Sequence, residues 1–168
     1  VGLRLFVTGG TFDKEYNEIK GELYFRTTHI PEMLRLGRCE LEVEIETLMM
    51  IDSLDMNDGH RRLIVERCQM CSDPSIVITH GTDTLEVTAR ALGAAKIEKT
   101  IVLTGAMVPY KFGSSDGLFN LGSALALAQV LPHGVYVAMN GRWFNWDRVR
   151  KDRARGVFVD AGDDQGEP

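Results

Sequence analysis

Short apolar runs alternate with stretches in which apolar residues recur at helical spacing. Residues 3–7 (Leu-Arg-Leu-Phe-Val) predict a first strand, closed by Thr8-Gly9-Gly10-Thr11. The polar segment that follows, to about residue 28, carries Lys14, Glu15, Asn17, Glu18 and Lys20 without helical periodicity. It is expected to be a long loop, and loops of that length are usually functional or disordered. Pro31 suits the first turn of a short helix that Gly37 would end. Residues 41–46 (Leu-Glu-Val-Glu-Ile-Glu) alternate strictly, which predicts a half-buried strand near a sheet edge. After the polar loop Asp52-Ser53-Leu54-Asp55-Met56-Asn57-Asp58, a helix is expected with Leu63, Ile64, Arg67/Cys68 and Cys71 as its apolar stripe. Residues 75–79 read as a buried strand, followed by a helix with Leu85, Thr88/Ala89 and Leu92 on one face. Residues 100–104 and 134–139 are further strands. Between them lie a loop over 105–115 and a helix opened by Asp116-Gly117. That helix is apolar nearly all round through Phe119, Leu121, Leu125, Leu127 and Val130, so it is expected to be buried.

Alternation of strand and helix from about residue 41 to 139 predicts an α/β fold: a doubly wound, mainly parallel sheet with helices on both faces and right-handed crossovers. Ligands of such sheets bind beyond the carboxyl ends of the strands. The polar segments 8–11, 52–55, 80–83 and 105–115 each follow a strand, so four loops would converge on one rim.

The length, 168 residues, suits one domain with a core that needs neither disulfide nor metal. Residues 1–159 are read as that domain and 160–168, with four acids and two glycines, as a flexible acidic tail. Val1 stands where an initiator Met is usual, so a few preceding residues are expected. A net charge of −5 argues against nucleic acid as a partner. Arg142, Arg148, Arg150, Lys151, Arg153 and Arg155 cluster near the end, but Asp147 and Asp152 dilute them and a solvated surface accounts for the run. Cys39, Cys68 and Cys71 form no framework and suit a reducing, cytoplasmic setting. Cys68-Gln69-Met70-Cys71 sits in a helical pattern with no second pair for zinc, and reads as core packing. No apolar run approaches the ~20 residues a membrane span needs, and no signal-peptide layout opens the chain.

Several positions could carry chemistry. Thr8-Gly9-Gly10-Thr11 offers backbone N–H groups at a glycine turn beside two hydroxyls. It is not a P-loop, since no Gly-Lys-Ser/Thr follows, and the chain has no dinucleotide fingerprint. Thr82 and Asp83 fall where a helix cap is expected, and capping alone would account for both. His80 at a strand end reads as a hydrogen-bonded structural residue.

Together, Thr-Gly-Gly-Thr at 8–11, Asp-Ser-Leu-Asp-Met-Asn-Asp at 52–58, Ile-Thr-His-Gly-Thr-Asp-Thr at 78–84, Leu-Thr-Gly-Ala-Met at 103–107 and Ser-Ser-Asp-Gly-Leu-Phe-Asn-Leu at 114–121 resemble the bacterial-type L-asparaginase family. The resemblance spans about residues 5–151. It implies the N-terminal doubly wound domain of those two-domain enzymes, with the family's C-terminal domain absent. It also implies an L-asparaginase that converts L-asparagine to L-aspartate and ammonia through an acyl-threonine, without cofactor or metal.

By that resemblance Thr11 is the primary nucleophile and Tyr16 its partner on the mobile loop, with Tyr24 a rival. Ser53 binds the substrate carboxylate and Asp83 the substrate amino group. Thr82, Lys151 and Asp83 form a second triad. Gly10 and Gly81 belong to the substrate-binding turns, and the Ala106 carbonyl accepts the substrate amide N–H. Backbone N–H groups at Thr11 and Thr82 would stabilise the tetrahedral intermediate. Family members are about twice as long, and their second substrate-amine ligand lies in the missing domain. Val108-Pro109 stands where many relatives have an arginine before the proline, and Leu54 where a glutamine is common. A naturally short, single-domain member is expected, associating as a homodimer or homotetramer. Two other functions compete: a glutaminase-like subunit of a tRNA-dependent amidotransferase, and a non-catalytic amino-acid-binding module.

Overall fold

The computed structural model describes residues 2–162. Five parallel strands form the sheet. They are β1 (Leu3–Gly9), β4 (Val43–Ile51), β5 (Ser75–Thr79), β6 (Thr100–Thr104) and β7 (Gly134–Met139), joined antiparallel at one edge by β8 (Arg142–Asn145). The order is β4-β1-β5-β6-β7-β8. Four helices cover it: α1 (Ile30–Leu36), α2 (Asp58–Met70), α3 (Leu85–Ala94) and α4 (Gly117–Val130).

Residue alternation sorts the core into two layers. Phe6, Ile76, Ile78, Ile101 and Leu103 face α2 and α3, packing with Ile64, Cys68, Leu85, Ala89 and Leu92. Their neighbours Leu5, Val7, Val77 and Val102 face α1 and α4, packing with Ile30, Met33, Leu121 and Ala124. Because both faces are covered, the strands read as unbroken apolar runs rather than alternating ones. Each such Ile or Leu, fully removed from water, contributes about 1.5–3 kcal/mol. β4 lies at the edge, as its alternation implied, but it starts two residues later than expected and runs on to Ile51.

Four expectations need correction. The segment after Thr11 is not a featureless loop. A 3₁₀ turn (Thr11–Asp13) leads into a hairpin of β2 (Lys14–Asn17) and β3 (Glu22–Phe25). Its alternation was hidden because every one of those eight residues is at least partly solvated. The buried face of α2 is Arg61, Ile64 and Cys68, while Leu63 is 39% exposed. Arg61 is buried because its guanidinium bonds the hydroxyls of Thr84 and Thr88. Helix α4 buries only one side, and Phe119 and Val130 stand in solvent at 62% and 74%. Beyond β8 the chain forms a second ribbon, β9 (Val149–Asp152) with β10 (Val157–Asp160), so Asp160 is strand rather than tail. Of the rest of the expected tail, Ala161 and Gly162 form a turn after β10, and residues 163–168 lie outside the described residues.

Asn140 and Gly141, with φ of 59° and 75°, make the turn into β8. Asn140 Oδ1 accepts from the Phe158 N–H at 2.9 Å and so ties β10 to this corner. Just ahead of the ribbon, Trp146 lies against α3 at Gly93, where an added Cβ would come within 2.1 Å of the indole. A helix-interior glycine costs about 1 kcal/mol relative to alanine, and here the missing methyl is the seat of that ring.

Candidate functional site

The strand order reverses between β1 and β5: the chain leaves β1 for β4 on one side and returns to β5 on the other. The crevice at such a switch point is where open α/β sheets bind ligands. Thr11 follows β1 and Thr82 follows β5, so the two threonines sit on the same rim, beyond adjacent parallel strands.

Glycine lets these loops touch through their backbones. A Cβ on Gly10 would stand 2.4 Å from Gly81 Cα, and one on Gly81 would stand 2.6 Å from Ser53 Cβ. Gly105 is held the same way, with 2.4 Å to the His80 carbonyl and 3.2 Å to the Thr82 methyl. Residues 10, 53, 81 and 105, from four loops, are therefore within one layer of backbone. Gly10 has φ +76°, a conformation only glycine adopts without strain.

His80 fixes the orientation at the centre. It is fully buried, and its Nδ1 lies 2.7 Å from the Gly81 carbonyl. A carbonyl only accepts, so Nδ1 carries the proton and Nε2 accepts from the Thr88 hydroxyl at 2.7 Å. Burial, with Arg61 nearby, pushes the imidazole down to about 4, so the ring is neutral near pH 7. In a trans peptide C=O and N–H point in opposite directions. With its carbonyl turned inward to His80, the Gly81–Thr82 peptide turns the Thr82 N–H away from the core. His80 is thus structural, as its position suggested.

Thr82 and Asp83 do not cap α3. Thr84 is the N-cap, and its hydroxyl donates to the Ser53 carbonyl at 2.8 Å. The two preceding side chains are drawn instead to Lys151. Its Nζ donates to Thr82 Oγ1 at 2.8 Å and to Asp83 Oδ1 at 2.9 Å. The Lys151 side chain is only 8% exposed, unlike the run of surface cations around it. It is carried on β9, paired opposite Phe158 of β10. The Lys151 ammonium, with Arg153, holds the Asp83 carboxyl below its usual range.

Ser53 is buried, and its Oγ accepts from the Thr84 N–H at 3.3 Å, which leaves its own proton to donate. Ala106 is buried in the next loop, which Asp116 shapes by accepting from the Met107 and Val108 N–H groups. Asn120 braces the same loop through the Gly105 carbonyl at 2.9 Å. Asp52 is fixed by Lys14 on the hairpin, and that ammonium lowers its pKa.

Tyr16 stands apart from this cluster. It lies on the hairpin, 53% exposed, edge-on to Phe112 with ring centroids 6.4 Å apart. Tyr24 pairs opposite Glu15, whereas Tyr16 pairs opposite Leu23, so the tyrosines are on opposite faces of the hairpin. A cleft of about 470 Å³ between α2 and α3, lined by Arg61, Val65 and Val87, holds none of the site residues. Among the described residues, no group of three or more His, Cys, Asp or Glu is arranged to hold a metal ion, and no helix is long and apolar enough to cross a membrane. Asp116, Asn120 and Arg153 were not singled out from the sequence. Asp116 and Asn120 lie in the Ser-Ser-Asp-Gly-Leu-Phe-Asn-Leu motif, which was their available signal.

The family described as "Asparaginase, N-terminal" matches residues 3–159. L-asparaginase 1 of Escherichia coli strain K12 is 31% identical over 159 residues, 89% of this chain and 47% of that protein. A glutamyl-tRNA(Gln) amidotransferase chain of Aeropyrum pernix is 34% identical over 121 residues, 68% of this chain and 27% of that protein. Among solved structures, the thermostable L-asparaginase from Thermococcus kodakarensis superposes with a TM-score of 0.85 at 28% identity, covering 95% of this chain and 51% of that one. The chain thus spans about half, or less, of the length of the relatives it matches. Matched from residue 3 to residue 159, it belongs to the asparaginase family, through that family's N-terminal domain.

Proposed function

We propose that this chain is an L-asparaginase, hydrolysing L-asparagine to L-aspartate and ammonia through an acyl-threonine. The observation that carries the reading is the contact of Lys151 Nζ with both Thr82 Oγ1 and Asp83 Oδ1, beside the turn that bears Thr11. Thr11 Oγ1 attacks the side-chain amide carbon, and the carbonyl π pair moves to oxygen. The N–H groups of Thr11 and Thr82 receive that oxyanion; losing one such donor typically costs about 10²–10³ in rate. A threonine hydroxyl needs a base. Tyr16 takes that part, passing its own phenolic proton to solvent, once the hairpin moves in from the exposed position described above; it shares a hairpin face with Lys14, which reaches Asp52 at the rim. Thr82, Lys151 and Asp83 relay a proton to the leaving nitrogen, ammonia departs, and water then cleaves the acyl-Thr11 ester. Ser53 and Asp83 hold the substrate carboxylate and ammonium, and Gly10, Gly81 and the Ala106 carbonyl line the pocket.

Cys39, Cys68 and Cys71 are free thiols, which supports a cytoplasmic setting. A partly exposed Thr11 and Asp83 at an open rim favour association as a homodimer or homotetramer. The test is ammonia release by the purified chain from asparagine and glutamine. Thr11→Ala and Thr82→Ala should each abolish release while far-UV circular dichroism stays unchanged. Near wild-type release from both variants would defeat the mechanism. The relative from Aeropyrum pernix favours a second reading, one component of a tRNA-dependent amidotransferase. Release from free asparagine with no partner protein present decides against it.

A further inference from the structure

Arg153 has no part in that chemistry, yet it makes the shortest contact with Asp83. Its Nη1 lies 2.7 Å from Asp83 Oδ1, and its Nη2 donates to the Asp83 main-chain carbonyl at 3.0 Å. Lys151 Nζ reaches the same Oδ1 at 2.9 Å. One carboxylate therefore serves two cations, and both bonds land on a single oxygen. The two partners differ in freedom. Lys151 is almost buried on a paired strand, whereas the Arg153 side chain is 59% exposed on the turn between β9 and β10. A ligand ammonium arriving at Asp83 would be a third positive charge around one anion, and like charges at contact distance repel. The arginine is the partner able to leave.

Resting on the reading of Asp83 as the anchor for the substrate ammonium, we propose that Arg153 is a specificity-determining residue. It occupies the ammonium position of the ligand-free site. The substrate amine competes with it for that carboxylate, so the advantage an α-amine brings is reduced, and ω-amides of dicarboxylic acids that lack it, such as succinamate, are disfavoured less than the Asp83 anchor alone would make them. A des-amino ligand leaves the Arg153–Asp83 pair intact and meets no competition. Asparagine and its product must break that pair first. A half-exposed, two-point arginine contact is a modest competitor, so the expected effect is about three- to tenfold.

The experiment is calorimetric titration of wild type, Arg153→Ala and Arg153→Lys with L-aspartate and with succinate, alongside ammonia release from asparagine and from succinamate. Aspartate should tighten relative to succinate by about three- to tenfold in Arg153→Ala, with Arg153→Lys in between. In turnover, the change should fall on KM for asparagine and not on KM for succinamate. A merely structural role for Arg153 would move both ligands together. An unchanged ratio of the two Kd values, or weaker aspartate binding in Arg153→Ala, overturns the proposal. So does failure of every variant to bind aspartate. A chain that releases no ammonia from either amide, yet shows the shifted ratio, keeps this inference and loses the proposed hydrolysis.

Discussion

His80 is buried without charge, and this makes stability depend on pH below the ordinary range of an imidazole. In the unfolded chain its imidazole takes a proton near 6.5; folded, it resists until about 4. The folded pKa is depressed, so the contribution of the neutral ring is fully present above pH 6.5. It is lost progressively as pH falls from 6.5 to about 4, because over that range only the unfolded state gains the proton. Holding the proton off across that interval corresponds to about 3 kcal/mol by pH 4. That is a large fraction of the roughly 5–15 kcal/mol that stabilises a typical domain. Asp52 and Asp83, whose carboxyls are held below 3.8, begin to destabilise the fold only at still lower pH. Asp13 moves the other way: its pKa is raised by burial, so it gains relative stability on acidification and partly offsets the loss. The reference that removes this overlap is His80→Gln, whose amide can donate to the Gly81 carbonyl and accept from Thr88 but does not titrate. Guanidinium unfolding followed by far-UV circular dichroism at pH steps from 7.5 to 4.2 gives the two stability curves. The wild-type curve should fall below that of His80→Gln by about 2–3 kcal/mol across the window. Parallel curves would refute the neutral, inward-facing ring, and with it the orientation of the Thr82 N–H.

Two further outcomes follow from packing. Gly10→Ala should destabilise by roughly 2–5 kcal/mol, combining a backbone conformation reserved for glycine with overlap onto Gly81; an unchanged denaturation midpoint would show that the two turns are not in contact. At Asp13, the carboxylate accepts from the His29 N–H at 2.7 Å, and Oδ2 has no hydrogen-bond partner among the described residues. Asp13→Ala should cost about 1–3 kcal/mol at pH 7 by orphaning that N–H, whereas Asp13→Asn, which keeps the acceptor and drops the buried charge, should cost much less. Equal midpoints for the two variants would contradict this.

Strands β1, β5, β6 and β7 were legible because burial on both faces leaves a continuous apolar run in each. The hairpin was not, since its eight residues are all at least partly solvated and its ladder is only four residues long, with Lys14 opposite Phe25, Glu15 opposite Tyr24 and Asn17 opposite Glu22. β8 had a signal that went unused: Asn140-Gly141 is the dipeptide that a tight hairpin with two positive φ angles selects. The site divides along the same line. Thr11, Ser53, Thr82 and Asp83 lie directly after strands, so chain order alone brings them to one rim. Lys151 sits in a charge run on a strand with only Val149 buried, and it was placed by family resemblance alone. Its inward course depends on pairing with β10 and on the Asn140–Phe158 tie, both long-range. The one-residue error at the head of α3 has a similar cause. Thr82 and Asp83 have the chemistry of caps, but a distant cation claims them first and Thr84 takes the cap position.

Helix α3 begins just after Asp83, and near its other end Gly93 receives the Trp146 ring, five residues ahead of Lys151. The same rigid rod therefore meets both halves of the Lys151–Asp83 pair and acts as a caliper between them. Inserting or deleting a residue within α3 would rotate the Gly93 notch by about 100°. Trp146 would lose its seat, and the lysine would be dislodged although every residue at the rim kept its identity. The length of this helix is thereby constrained by a glycine and an indole that lie outside the rim.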